Sequence, residues 1–470
     1  MQSMTVAEIK ESLGVEKAPG DEEISVTGIC TDTRKITPGD LFIPLRGENF
    51  DGHQFIAEAL KAGSAAALSS LQSIEGVDKT SLIVVDDTLT AYHRLASAYR
   101  KSLKVPLVAI TGSNGKTTTK DLVAEILSQR YKVLKTPENF NNEIGVPQTI
   151  LTVEPSVERV VLEMAMRGRG QIRQLCEIAR PDVGIITTIG ESHFELLGSY
   201  QAIADAKGEL LESIHHTGFA VLNADDRWFT YLVEKCQCPV YSYGQSEEAY
   251  LRLLECRPVE MEGFDITVKK GLTDTHSFRI PMLGFHNVYN SLAAILIGFL
   301  DGLKESEIQK GLSSVKITGK RMEKLITDDG IIIINDTYNA SPTSVRQALK
   351  TLSMTNMNGR RVAVLGDMRE LGDIAEKGHR ETGQEVFHSK IDHLITLGDM
   401  GRWIHEEAVS QGMAPDKCLW FEDRVNAMEY VSGLLVEGDV VLVKASRLMK
   451  LEEVVEHIKS SHGYTAVKNS

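Results

Sequence analysis

Residues 105–120 read VPLVAITGSNGKTTTK: an apolar run, a glycine-containing turn, then a Lys-Thr pair opening a helical pattern. That order suits a phosphate. Backbone N–H groups around Gly112, Ser113, Asn114 and Gly115 would cradle its oxygens, and the helix N-terminus adds partial positive charge. Lys116 would neutralise a transferred phosphoryl group, and the Thr117 hydroxyl would hold Mg2+, with Thr118 in the same turn. The match to G-x-x-x-x-G-K-[ST] is shortened, because its first glycine falls where the chain has Ile110. A tight turn with a solvated lysine is the competing reading.

Two further residues belong to the same chemistry. In an open parallel sheet, ligands bind at the carboxyl ends of the strands. Glu163 ends VERVVLEM, and His193 follows DVGIITTI within TIGESHFE. Taken alone, a strand-end Glu is usually solvated and a loop His usually lies on the surface. Beside a nucleotide loop they read as metal ligands, the carboxylate better suited to Mg2+ than the imidazole. A third residue stands out in YQAIADAKGELLESI, residues 200–214. At 100° per residue, Ile203, Lys207, Leu210, Leu211 and Ile214 share one helical face, with Asp205, Glu209 and Glu212 opposite. A lysine inside an apolar stripe is costly unless it is neutralised or paired. It could also snorkel off the helix or pair with Glu163.

These residues need a scaffold. From 105 to about 315, strand-like runs (VPLVAI, VERVVLEM, DVGIITTI, GFAVLN) each precede a helical pattern, which predicts a parallel sheet with crossover helices. A second alternating series, IIIINDT, RVAVLGD, HLITLGD and DVVLVKAS, follows VKITGKRME at 315–323. Residues 1 to about 100 carry short strands and Gly/Pro turns, and the basic AYRKSLKVP (98–106) reads as a linker. The expected architecture is α/β with three domains: a smaller N-terminal α/β domain over 1–100, a central P-loop parallel-sheet ATPase domain over 101–316, and a Rossmann-like domain over 317–470.

Composition narrows the partners. A chain of 470 residues is too long for one core. A formal net charge of −14 argues against nucleic acid or an anionic membrane as the main partner. The N-terminal MQSMTVAEIKESLGVEK has acidic residues where a signal peptide needs an apolar core, and SLAAILIGFL (291–300) is half a membrane span. Six scattered cysteines, with CQC (236–238) the only close pair, form neither a zinc spacing nor a disulfide framework. A reduced cytoplasmic enzyme is expected.

The motifs TGSNGKTTTK, NFNNEIGVP, EMAMRGRGQI, IGESHFE, AKGE, NADD, GFHNVYNSLAA, GKRME and NDTYNASPTS occur in the order seen in the Mur ligase superfamily, which this chain resembles over nearly its whole length. With LGDMRELG and DTRKITPGDLFIPLRGENFDGHQFI, it is most similar to the branch that adds D-alanyl-D-alanine. Ala165 and Ala445 stand where that pattern has glycine, without removing a reactive group. The resemblance implies ATP and Mg2+, with UDP-MurNAc-tripeptide and D-alanyl-D-alanine as substrates, acting in a monomer. It places Asn287 and Asn290 near the adenine, Arg321 near the phosphates, Asp336 near the ribose and Tyr338 against the base. Thr33, Arg34, Asp51, His53, Asn141 and Asn142 would face the UDP-sugar, and Lys444, Ser446 and Arg447 the incoming amine. It further implies that Lys207 carries a carbamate which, with Thr117, Glu163 and His193, holds the metal. Lys116, Lys207, His193 and Glu163 are then the expected catalytic set. Other amino-acid-adding Mur ligases, folylpolyglutamate synthetases, and P-loop regulatory or transport NTPases are the alternatives. No Asn-Lys dipeptide occurs, so the N-K-x-D guanine-reading motif is missing.

Overall fold

Three sheets, the first parallel and the other two largely so, succeed one another along the chain, seen in a computed structural model that describes residues 1–47, 49–355 and 359–465. The first is small and runs β1 (Gly28–Cys30), β2 (Asp40–Phe42), β3 (Ala66–Ser69), β4 (Leu82–Val84) in sequence order. It leads into helix α1 (Thr88–Ser102), capped by Asp87, whose side chain accepts from the Thr90 N–H. Tyr92, Leu95, Ala96 and Tyr99 recur at helical spacing and are buried.

The basic segment expected to be a linker is instead the last turn of α1 and a docking strut. The buried Arg100 guanidinium donates to the carbonyls of Ala179 (2.7 Å) and Arg180 (3.2 Å) and to the Asp182 carboxylate (3.2 Å). Tyr99 donates its hydroxyl to the Val153 carbonyl at 2.6 Å. Charge that looked solvated in sequence satisfies the carbonyls at the end of another helix.

The middle sheet is built from β5 (Leu107–Thr111), β6 (Val133–Lys135), β7 (Arg159–Glu163), β8 (Val183–Ile186), β9 (Phe219–Asn223), β10 (Val240–Gly244), β11 (Leu251–Val259), β12 (Gly263–Lys270) and β13 (Asp274–Ile280). Its order is β6-β7-β5-β8-β9-β10-β11-β12-β13. Helix α2 (Lys116–Leu127) follows β5, α3 (Tyr200–Glu212) precedes β9, and α4 (Phe285–Leu300) follows β13. The parallel sheet expected from sequence runs from β6 to β11, and a hairpin extension lies beyond it, in which β12 pairs antiparallel with both β11 and β13. SLAAILIGFL lies within the buried α4, and no helix among the described residues is long and apolar enough to cross a membrane.

The third sheet comprises β14 (Glu323–Ile326), β15 (Ile332–Asn335), β16 (Arg361–Gly366), β17 (His393–Leu397), β18 (Cys418–Phe421) and β19 (Val440–Lys444). Its order, β14-β15-β19-β16-β17-β18, places the last strand between β15 and β16. Buried Asp439, just before β19, accepts from the Arg360 backbone N–H (3.0 Å) and Val436 N–H (3.0 Å) and pairs with the Arg360 guanidinium (2.5 Å). Helix α5 (Pro342–Ser353) starts at NASPTS, where Ser341 accepts from the Ser344 N–H and Pro342 opens the first turn.

Candidate active site

Strand β5 is the topological switch of the middle sheet, with β7 on one side and β8 on the other, so the crevice beyond its carboxyl end is where a ligand belongs. The loop Gly112–Gly115 fills that end. Gly112 has φ 148°, and a Cβ there would lie 1.9 Å from Thr187 Oγ1. Gly115 has φ 83°, and a Cβ would lie 2.3 Å from Asn290 Oδ1. Both positions require glycine. Ser113 holds the loop in place, its N–H donating to the Thr188 carbonyl (2.8 Å) and its hydroxyl to the Gly190 carbonyl (3.1 Å). Asn114 accepts through its carbonyl from the Thr187 hydroxyl at 2.5 Å. Thr117 and Thr118 are buried in the first turn of α2.

Lys116 Nζ donates to the Gly112 carbonyl at 2.8 Å and the Ser113 carbonyl at 3.4 Å. Burial pushes its pKa down, Glu163 opposes that shift and Arg321 adds to it, so Lys116 feels both charges. Glu163, at the end of β7, is buried; Asn141 Nδ2 donates to its Oε1 at 2.8 Å, while Oε2 has no hydrogen-bond partner among the described residues. Arg321 Nη2 donates to Thr117 Oγ1 at 3.1 Å, and its guanidinium stacks 3.9 Å from the Tyr338 ring centroid.

Lys207 sits on α3 at 1% exposure. Among the described residues its ammonium has neither a hydrogen bond nor an ion pair, so it neither snorkels nor pairs with Glu163. Burial, reinforced by the nearby Lys116 charge, holds its pKa well below the usual lysine range. Glu209, opposite the apolar stripe, is itself buried, accepting from the N–H groups of Gly170 (2.6 Å) and Arg173 (3.0 Å) at the start of helix Gln171–Ala179. A carboxylate there complements the helix dipole. Ile214 is buried but lies beyond the end of α3.

His193 adopts a left-handed backbone (φ 63°), and its Nδ1 lies 2.8 Å from Glu370 Oε2 of the third sheet's domain, close enough to pair although angled away from a hydrogen bond. Glu370 is also left-handed (φ 64°), and the neighbouring His193 holds its carboxyl below the usual carboxylate range. Asn290 donates to Asn287 Oδ1 (2.9 Å) and accepts from Thr119 (3.3 Å), so the pair braces the back of the loop. A cleft of about 530 Å³ opens beside Asn114, Gly115 and Asn290 and is walled by Asp226, Tyr289 and Arg346. Those last three drew no role from the sequence, although NADD and HNVYN contain the first two.

Other expected residues lie elsewhere. Asp336 is buried in an ion pair with Lys444 (2.7 Å), which also donates to the Asn339 carbonyl (2.8 Å). Arg321 covers Tyr338, and Arg447 approaches it at 5.4 Å. Ser446 accepts the Arg369 N–H at 2.8 Å. In the N-terminal domain, Asp51 pairs with buried His53 (2.6 Å), while exposed Arg34 pairs with Asp32 (2.8 Å) beside Thr33 in a short 3-10 turn. Asn142 caps helix Gly145–Leu151 by accepting the Ile144 and Gly145 N–H groups, and it lines a cleft of about 580 Å³ between the first two domains. Thr33, Arg34, Asp51 and His53 do not line that cleft.

Comparison with known proteins matches three family models in order: "Mur ligase family, catalytic domain" over 25–106, "Mur ligase middle domain" over 110–298, and "Mur ligase, glutamate ligase domain" over 320–447. A UDP-N-acetylmuramoyl-tripeptide--D-alanyl-D-alanine ligase of Bacillus subtilis is 41% identical over 98% of this chain and 99% of its own length. The protein of that name from Escherichia coli is 32% identical over the same shares. The crystal structure of MurF from Acinetobacter baumannii superposes with a TM-score of 0.88 at 26% identity, covering 98% of this chain and 99% of that one. MurF from Thermotoga maritima in complex with ADP gives 0.82 at 26%, covering 93% and 98%.

Proposed function

The chain belongs to the Mur ligase family, and from that premise we propose that it uses ATP to join D-alanyl-D-alanine to the terminal carboxylate of UDP-N-acetylmuramoyl-tripeptide, a ligation of peptidoglycan precursor synthesis. The gathering of Lys116, Glu163, Arg321 and Lys207 around one glycine loop carries this reading.

A tripeptide carboxylate oxygen attacks the γ-phosphorus. The bond to the β,γ-bridging oxygen breaks, and its electron pair leaves with ADP. The neutral amine of the dipeptide then adds to the acyl phosphate carbon, loses its proton, and phosphate departs. Carboxylate and triphosphate repel each other, so the protein's task is charge neutralisation and alignment. Lys116, which rests on loop carbonyls, is the nearest cation to exchange them for phosphoryl oxygens. Arg321 and the N-terminus of α2 add positive potential from two further directions.

The orphaned Glu163 Oε2 and the Thr117 hydroxyl are hard oxygen donors of the kind Mg2+ takes. Among the described residues no three His, Cys, Asp or Glu side chains converge; oxygens of a carbamate on Lys207 would add to the donors that Glu163 and Thr117 offer. A neutral, buried amine adds to CO2 and releases a proton, leaving a carbamate anion, and burial favours the neutral form of Lys207 over the charged one. Thr117, Glu163, His193 and carbamylated Lys207 would thus hold Mg2+, which supplies the charge neutralisation that lets the two anions meet.

By the same reading, Asn287, Asn290, Asp336 and Tyr338 serve the nucleoside, Thr33, Arg34, Asp51, His53, Asn141 and Asn142 the UDP-sugar, and Lys444, Ser446 and Arg447 the amine. Domain divisions near residues 100 and 316 follow, and six free cysteines suit a cytoplasmic enzyme. Phosphate release measured with ATP, UDP-MurNAc-tripeptide and D-alanyl-D-alanine together tests the proposal. Release is expected only when all three are present. Release with single amino acids and not the dipeptide, or with no amine at all, overturns it.

A further inference from the structure

Buried on α2, one turn beyond the phosphate loop, is an aspartate that the reaction does not use. Asp121 has no exposed surface. Its Oδ1 takes the Lys135 ammonium at 2.6 Å and lies 3.4 Å from the Lys120 ammonium, while Oδ2 accepts the backbone N–H of Thr318 at 2.7 Å. Thr318 belongs to the segment that runs from helix Glu305–Ser314 of the middle domain to β14 of the next. Three residues further along that segment is Arg321, which reaches Thr117 on the same helix at 3.1 Å. Thr117 and Asp121 are four residues apart, hence neighbours on one face of α2.

We propose that Asp121 is a positioning residue: it pins the backbone of the interdomain connector to α2 and so sets Arg321 against the phosphate loop. A buried carboxylate tolerates loss of its partners poorly, and here the two lysines fix the carboxyl so that its second oxygen meets the connector. The Thr117 hydroxyl and the Tyr338 ring hold only the guanidinium end of a long side chain. Asp121 holds the backbone that carries it. A displacement of about 1 Å at such a group costs on the order of 100-fold in rate.

This inference rests on Arg321 serving the phosphates in the ligase reading, and the experiment separates the two. Steady-state kinetics in ATP are compared for wild type, Asp121→Asn, Arg321→Ala and the double variant, with unfolding midpoints recorded. Thr318→Pro removes the single N–H without touching the lysines, and Thr318→Ala keeps it. We expect Asp121→Asn and Thr318→Pro each to lower kcat/KM for ATP by about tenfold, Thr318→Ala to match wild type, and Asp121→Asn to add less than about threefold to the loss in Arg321→Ala. Multiplicative losses in the double variant, or Thr318→Pro with wild-type ATP kinetics, overturn the inference; if Asp121→Asn does not fold, the Thr318 pair decides alone. Absence of dipeptide-dependent phosphate release in wild type would count against the ligase reading instead.

Discussion

Lys207 shows how one side chain can be out of place in sequence and useful in the fold. Its helical stripe is otherwise apolar, and among the described residues its amine is buried beside Lys116 without an anionic partner. Such a group is destabilising until it is converted into something else. In CO2-depleted buffer, Lys207→Met is expected to raise stability by about 1–3 kcal/mol in chemical denaturation, since the unpaired polar group is gone. Its ligase rate should fall about 100-fold or more, and bicarbonate should restore activity to depleted wild type but not to the variant. A variant with wild-type turnover removes the carbamate from the mechanism. The anomaly at Lys207 was legible because it broke a periodic pattern. Its neighbours were less so: nothing local in the chain says that Asn141 holds Glu163 or that Glu370 meets His193, since those contacts join separate elements.

At the scale of elements, two side chains tie together segments that sequence separates widely. Arg100→Met leaves the carbonyls of Ala179 and Arg180 without their donor, and a loss of about 2–3 kcal/mol in unfolding free energy is expected. Asp439 is buried, which works against its ionisation, yet the Arg360 guanidinium and backbone N–H groups outweigh this and hold its pKa below the usual carboxylate range. Its stabilisation is therefore present above the unfolded value near 3.9 and fades as pH falls through the folded one. Asp439→Asn should cost about 2 kcal/mol at pH 7, a deficit that narrows below about pH 4 in urea titrations. The same contacts explain which parts of the fold were readable. Apolar runs announced β5, β7, β8 and β9 and, in the third sheet, β15, β16, β17 and β19, because each is largely buried; the edge strands β14 and β18 gave no such run. The hairpins β11–β13 escaped notice, since alternating polar residues such as Arg257, Asp265 and Arg279 pair across their outer face rather than marking a core. Arg100 read as linker because its partners lie about eighty residues away.

Across the whole molecule, the second and third domains already touch around the site. Glu191 accepts the Thr343 hydroxyl at 2.8 Å, Asn114 that of Ser341 at 3.4 Å, and His193 faces Glu370. Each of these polar contacts adds a small bias toward the joined arrangement, beside the packing of Leu283 into the third domain's core. Thr343→Val should therefore enlarge the radius of gyration seen by solution X-ray scattering without substrates and raise apparent KM for ATP about two- to fivefold, with saturating substrates restoring the smaller radius. An unchanged radius would mean that the arrangement is held elsewhere. The third sheet carries a different consequence. Its final strand, β19, fills the gap between β15 and β16, so during synthesis the two halves of that sheet emerge with an open slot between them. Ribosomal delivery of residue 444 is thus the event that completes the sheet, before helix Glu452–His462 packs against it. A nonsense codon before residue 440 would leave two raw strand margins for chaperones and proteases to find.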